Sequence, residues 1–386
     1  MLRRYIENLL APADILLDGD RLWDIKINNE RVFLRVLRGG ILALGESYMD
    51  GDWDCDRPDI LVERILKHNF TKQFSLVPNS LQKAIRWLAQ RYYNRLQQIA
   101  DPTTRDRLLA ETHYDKGNDL FEWMLGRLML YTCAYFKDTD DLEEAQEAKC
   151  RLSCEKLALQ PGMKCLDIGG GYGELARYAA EKHGIEVVMI TISKEQAQYA
   201  RELCKGLAVD VRLMSYKELK DSDERFDAVW SIGMFEAVPL EDYALFIHIV
   251  YQVLNELCPF LLHTIERDAW ASKEPNPWID KYIFPGGYAP SEPDIESFTR
   301  QGFCRISNDR WPGAYYDRTL MAWAGNCAEH KAELIEKYGF MFYRMWRLYL
   351  LASAGSFRAE RMRVHQHLFR RGMTVVQENS NVSDGA

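Results

Sequence analysis

From Pro161 onward the chain alternates short apolar runs with helical periods, and this alternation restricts the fold more than any other feature. "MKCLDI" reads as a strand, "ELARYAAEKHG" as a helix closed by Gly184, and "EVVMIT" as a strand. "SKEQAQYARELCKG" is a helix ending at Gly206, "VDVRLM" a strand, "FDAVWSIG" a strand, "EDYALFIHIVYQVLNEL" a helix and "FLLHTI" a strand. Strands separated by helices build βαβ units and a mostly parallel sheet. Near-continuous apolar strands are expected when helices cover both faces. The expected class is therefore α/β, with ligands at the carboxyl ends of the strands.

The first strand runs into the glycine-rich stretch "CLDIGGGYGEL", Cys165 to Leu175. Gly169, Gly171 and Gly173 give G-x-G-x-G, whereas the dinucleotide fingerprint needs G-x-G-x-x-G. Its third glycine would fall at Glu174, whose charge would oppose a pyrophosphate at the helix N-terminus. No Lys follows, as a P-loop would require. Phosphate-bearing cofactors are disfavoured. S-adenosylmethionine fits better, since it carries an ammonium and a sulfonium and no phosphate. Asp167 precedes the turn and can face that positive end, and the glycines let the backbone come close. The second strand ends in "TISKEQ". Either Gln196 or Glu195 can reach the ribose, and the residues alone leave that open.

The 386 residues suffice for two or three domains, and the formal charge of −8 offers no footprint for nucleic acid. No apolar run reaches the length of a membrane span. The start, broken by Pro12 and Asp14, is a poor signal peptide. The 9 cysteines form no CxxC pair, and Cys150 and Cys154, one helical turn apart, suit a helix face more than a metal site. Reduced thiols and no metal are expected. Residues 1–70 contain strand-like pieces ("WDIKI", "VFLRVL") and read as a small α/β or mostly helical unit. Asn79 to Ala100 has helical spacing, with Lys83, Arg86, Arg91 and Arg95 and no acid. Such a helix can dock on anionic lipid, although packing on its own domain explains it as simply. Helices are expected again at 327–346 and 346–371, before a polar tail.

The blocks "HYDKGNDLF", "LYTCAYF", "LDIGGGYG", "TISKEQ", "SIGMFE", "LLHTI", "KYIFPGG" and "YDRTLMAW" occur in one order between residues 113 and 323. Together they resemble the cyclopropane-fatty-acyl-phospholipid synthases and the related mycolic acid cyclopropane synthases. "LGESYMDGDWDCD" (44–56) resembles the N-terminal domain of the phospholipid enzymes. The resemblance implies a class I S-adenosylmethionine-dependent methyltransferase fold, Rossmann-like, with a small N-terminal lipid-binding domain. The domains expected are 1–100, a catalytic domain at 101–375 and a disordered tail at 376–386.

The resemblance also implies the chemistry. Such enzymes transfer the methylene of S-adenosylmethionine to a cis double bond of a phospholipid acyl chain. A bound bicarbonate then deprotonates the carbocation. Its pocket maps onto Cys133, Glu236, His263, Ile265 and Tyr316. The cofactor residues carried over are Tyr131, Thr132, Asp167, Gly169, Gly171, Gly173, Thr191, Gln196, Ser215 and Tyr216. The partners implied are unsaturated membrane phospholipids and an anionic surface at the inner face of the membrane, with the protein cytoplasmic and peripheral. The basic run Arg358–Arg371 is a second candidate for that surface, and a homodimer is admitted. Departures cluster near the site: Gly170 and Tyr172 in the loop, Ala237 where the family usually has His, Glu256–Pro259 in place of Pro-Glu-Gly, Ser215 for Asp, and Ser353 for a cysteine. They leave two other outcomes open, a methyl- or methylene-branched product and a relative that binds without turnover.

Overall fold

A computed structural model describes residues 2–68, 117–268 and 276–372. The basic segment 79–100 and the tail 376–386 lie outside the described residues.

The centre is a seven-stranded sheet of order β5-β4-β3-β6-β7-β9-β8. Strands β3 (Lys164–Ile168), β4 (Glu186–Thr191), β5 (Val209–Leu213), β6 (Ala228–Ile232) and β7 (Pro259–Arg267) are parallel. β8 (Phe303–Trp311) and β9 (Met362–Arg371) add an antiparallel edge, with β9 inserted between β7 and β8. Helices α5 (Leu142–Leu157), α6 (Glu174–His183), α7 (Lys194–Leu203) and α8 (Tyr243–Val253) cover the parallel strands. Local signals set their ends. Asp141 accepts the Glu144 N–H to cap α5, Ser193 accepts the Gln196 N–H to cap α7, and Gly184 closes α6 in the left-handed region.

The helix expected at 346–371 is wrong in its second half. α11 (Phe340–Arg358) ends there, and Met362–Arg371 is strand β9. β9 lies between β7 and β8 and is covered on both faces, with Val364 buried on one side and Phe369 on the other. The helix expected at 327–346 is divided among α9 (Gly313–Glu329), α10 (Lys331–Tyr338) and α11. β8 was not foreseen, because its central residues are polar and exposed at the sheet edge.

In the N-terminal part, α1 (Leu2–Leu10), α2 (Arg31–Met49) and α3 (Pro58–Lys67) accompany a two-stranded ribbon of β1 (Lys26–Ile27) and β2 (Trp53–Asp54). "VFLRVL" is helical rather than extended. Its β-branched residues suggested a strand, but Val32, Phe33 and Val36 turn to one core at helical spacing while Leu34 is exposed, and the helix kinks at Gly40. α3 and α11 pack backbone to backbone: a Cβ at Gly355 would strike the Asp59 carbonyl oxygen. Beside that contact Arg358 pairs with Asp59 at 2.9 Å and Asp317 at 2.6 Å. Burial alone would raise Asp59, but Arg57 and Arg358 outweigh it and hold the carboxyl below its usual range.

These pairings change the picture of the basic run. Arg358 faces Asp317 and Asp59, Arg361 donates to the Leu66 carbonyl, Arg363 pairs with Asp268, and Arg371 donates to Leu254. Those four side chains are engaged within the protein.

Candidate active site

The glycine loop follows β3 and ends on α6. Gly169, Gly171 and Gly173 all have positive φ, at 78°, 58° and 91°. A Cβ at Gly173 would lie 2.8 Å from that of Ala200 on α7, so that glycine lets helix and loop approach. Glu174 turns away from the loop and pairs with Arg177 at 2.6 Å. Asp167 is buried, and its Oδ2 has no hydrogen-bond partner among the described residues. Burial pushes its carboxyl up to about 7, with Trp230 acting in the other direction. At the end of β4, the Thr191 hydroxyl donates to Gln196 Oε1 at 2.7 Å. Both side chains are buried at the sheet's carboxyl edge. Ser215, beyond β5, spends its hydroxyl on a capping box with Glu218, while Tyr216 packs edge-on against Phe246.

Aromatic rings line the approach from the loop. Tyr172 meets Phe121 at 5.8 Å and Tyr199 at 5.3 Å between centroids. Phe121 meets Tyr131 at 5.4 Å, and Tyr131 meets Trp323 at 5.4 Å. The Tyr131 hydroxyl is 2.8 Å from that of Tyr349. Ser353 lies one turn beyond Tyr349 on α11. Ring faces of this kind attract sulfonium and carbocation charge.

A second cluster forms where β6 and β7 end. The His263 Nε2 lies 3.3 Å from the Thr132 hydroxyl, and His263 packs edge-on to Trp311. Its Nδ1 is buried with no partner among the described residues. Burial drives its pKa well below the usual value, so the ring is neutral. Glu236 sits in the short helical turn Phe235–Ala237 after β6. Its Oε1 accepts the Ile265 N–H at 2.6 Å, while Oε2 has no partner among the described residues. Burial pushes Glu236 up to about 7, opposed by the Ile265 bond. The turn around Gly287 closes over it, with Tyr288 N–H donating to the Glu236 carbonyl at 2.8 Å.

Cys133 is buried, and burial pushes its thiol far up, so it is no nucleophile. It joins α9 through the next residue, whose N–H donates to the Thr319 hydroxyl at 3.0 Å. Tyr316, one turn earlier on α9, stacks on Phe357 at 4.4 Å. Thr132 thus meets His263, Glu236 meets Ile265, and Cys133 adjoins Thr132 in the chain, while Tyr316 packs on Phe357 and Trp323.

Sequence reasoning missed Lys149. It lies on the buried face of α5 with no partner for Nζ among the described residues, and burial lowers it to about 8. It acts electrostatically on Cys133 and on His263. The available signal was a lysine within a stripe otherwise formed by Ala145, Cys150, Ser153, Cys154 and Leu157.

A glycine loop beside a cluster of packed aromatic rings has counterparts among known proteins. Residues 102–367 match the family described as mycolic acid cyclopropane synthetase. The chain belongs to this family. It is 41% identical over 370 residues to the cyclopropane-fatty-acyl-phospholipid synthase of Escherichia coli K12, covering 96% of this chain and 94% of that one. A probable fatty acid methyltransferase of Mycobacterium tuberculosis is 34% identical, over 69% of this chain and 63% of its own. Among solved structures, the cyclopropane synthase MmaA2 of M. tuberculosis superposes with a TM-score of 0.66 at 30% identity, over 70% of this chain and all (100%) of that one. Mycolic acid cyclopropane synthase CmaA1, complexed with SAH and CTAB, gives 0.64 at 30% identity, over 69% and 98%. The fold is that of a class I S-adenosylmethionine-dependent methyltransferase. As a member of the cyclopropane synthetase family, the protein is an S-adenosylmethionine-dependent enzyme.

Proposed function

We propose that the protein adds the methylene of S-adenosylmethionine across a cis double bond in a membrane phospholipid, forming a cyclopropane ring. Glu236 carries the reading: a buried carboxyl with one oxygen fixed by Ile265 and the other left for a ligand. The near-full-length similarity to the Escherichia coli phospholipid enzyme supports the acceptor class.

An alkene is a weak nucleophile, so it must be held in line and close, with water excluded. Asp167 and the glycine loop hold the positive end of the cofactor, and Thr191 with Gln196 hold its ribose side. When bound, S-adenosylmethionine supplies the electrophilic carbon. Tyr131, Phe121, Tyr172 and Trp323 present aromatic surface to the cationic acyl chain that follows.

Ring closure then requires loss of a methyl proton. Bicarbonate fits the second cluster and would supply a base there. Glu236 Oε2 would accept its O–H, since two bare anions would repel, and His263, Tyr316 and the Cys133 backbone would complete its shell. The Ile265 N–H is already given to Glu236, so Ile265 contributes by fixing that carboxyl.

We further propose that residues 1–100 face the lipid and 101–375 carry the chemistry, at the inner face of the membrane. No helix among the described residues is long and apolar enough to cross a bilayer. Charge reversal at Arg86, Arg91 and Arg95 should weaken sedimentation with anionic vesicles, most at low salt. Unchanged sedimentation counts against this surface.

The decisive assay combines protein, cofactor, bicarbonate and mixed unsaturated vesicles. Ring protons by NMR, with a mass gain of one CH2, are expected; no mass gain overturns the reading. Ala237 favours a second outcome, because it puts no titratable side chain at the position next to Glu236 in the chain. The cation can then lose a different proton and give a branched chain. The same NMR spectrum separates a ring from a branch.

A further inference from the structure

β7 presents His263 and Ile265 to one face of the sheet and Thr264 and Glu266 to the other. On that second face, β9 places His365 opposite Thr264 and His367 opposite Leu262. Ligand-capable atoms of Glu266, His365 and His367 all lie within 4.8 Å of one another. We propose that these three side chains form a binding site for a first-row divalent cation of the zinc type, apart from the cofactor loop.

Distances and burial carry the proposal. His367 Nε2 is 2.5 Å from Glu266 Oε1, and His365 Nδ1 is 3.7 Å from the same oxygen. Zinc bonds of about 2.0–2.2 Å set tetrahedral ligand atoms about 3.3 Å apart. An ion therefore needs the first contact to open by under about 1 Å. The two rings stack with centroids 5.6 Å apart, so both nitrogens approach one carboxylate from the same strand. His365 Nδ1 also meets Asn308 Oδ1 of β8 at 2.8 Å, a hydrogen bond whose proton an ion at Nδ1 would displace. Glu266 and His367 are buried and His365 is half-buried, which leaves an entry from solvent at His365.

An apolar layer borders the triad. His367 stacks on Phe369, which stacks on Phe298 and Phe260. In that apolar layer, His367 Nδ1 is buried with no partner among the described residues. The nearby arginines do not leave a positive field. Arg305 is matched by Glu292 at 2.6 Å, Arg310 by Glu360 at 2.8 Å, and Arg363 by Asp268. Two histidines and one carboxylate form a donor set that zinc accepts with a position left open. Drawn from β7 and β9, the ligands would pin the antiparallel edge to the parallel core.

The test uses the full chain after treatment with a chelator. Cobalt(II) titration should give visible ligand-field bands of nitrogen and oxygen ligation, saturating at about one ion per chain, with zinc displacing the cobalt. His365→Ala and His367→Gln should each weaken binding by roughly tenfold or more. Zinc should also raise the Tm of the wild type, a reading that stands even if a variant fails to fold. No bands and no Tm shift would overturn the site and leave a buried carboxyl–imidazole hydrogen bond. Strong thiolate charge-transfer bands, or bands that survive in both folded variants, would place the ion elsewhere and overturn it equally.

Discussion

The cofactor loop and the Glu236 pocket each centre on one buried carboxyl pushed up to about 7, yet they are built in opposite ways. Asp167 and the glycine loop form one continuous stretch, flanked by Met189 and Trp230 from the adjoining parallel strands. Glu236 depends on segments 131–134, 263–265, 284–288 and 313–319, brought together only by the finished sheet. Asp167 has an oxygen with no hydrogen-bond partner among the described residues, turned to the glycine loop at Gly170; Glu236 has one oxygen locked by Ile265 and the other without such a partner. Two carboxyls of similar proton affinity can therefore serve binding and turnover separately.

The sharpest test is Glu236→Gln. It should lower turnover by about 10²–10⁴-fold while cofactor affinity, measured by calorimetry, changes little. A matching loss of cofactor binding would merge the two regions. Asp167→Asn should do the reverse, weakening cofactor binding by roughly 10–100-fold, the worth of a charge-assisted hydrogen bond. The same carboxyl gives a pH dependence. Asp167 is neutral below about 7 in the free protein, so cofactor affinity should fall as pH drops through 7.

Stability comes next in size. Both carboxyls have folded pKa values raised above their unfolded ones, so the folded state holds extra protons. Their contribution is present below the unfolded values near 4 and is lost as pH rises through about 7. Each amide variant should therefore stabilise the cofactor-free protein at pH 8, by an order of 2–3 kcal/mol, and hardly at pH 4. Equal Tm gains at both pH values would show that charge burial is not the cause. The smallest effect is expected at Gly170, where a Cβ would fall 2.5 Å from Met189 and 2.7 Å from Asp167 Oδ2. Gly170→Ala should cost about 1 kcal/mol and disturb cofactor binding, leaving the Glu236 pocket intact.

What was legible in the sequence follows the same division. The parallel strands, their helices and the glycine turn are local patterns, and they appear where periodicity put them. "VFLRVL" and "MRVHQHLF" exchanged their expected states because burial against distant partners, not local propensity, chose between periods of 3.6 and 2. The site residues around Glu236 came from ordered motifs, since no spacing within 131–319 announces their meeting. Lys149 and the Glu266–His365–His367 triad escaped notice for a related reason. Each draws its significance from neighbours across the sheet or helix layer.

The Gly355–Asp59 contact has a consequence for how this chain can be divided. The mycobacterial synthase aligned above is covered completely by 70% of this chain. Here α11 has lost its side chain at the very point where α3 lies against it, and Arg358 is neutralised by Asp59 from that helix. Removing residues 2–67 would uncover the α11 backbone at Gly355 and the apolar residues around it, and leave Arg358 with Asp317 alone. A shortened chain should therefore clump or need a detergent to stay dispersed, although its catalytic part resembles proteins that exist at that length. The leading segment has become part of the fold's exterior wall, and the two pieces can no longer be traded independently.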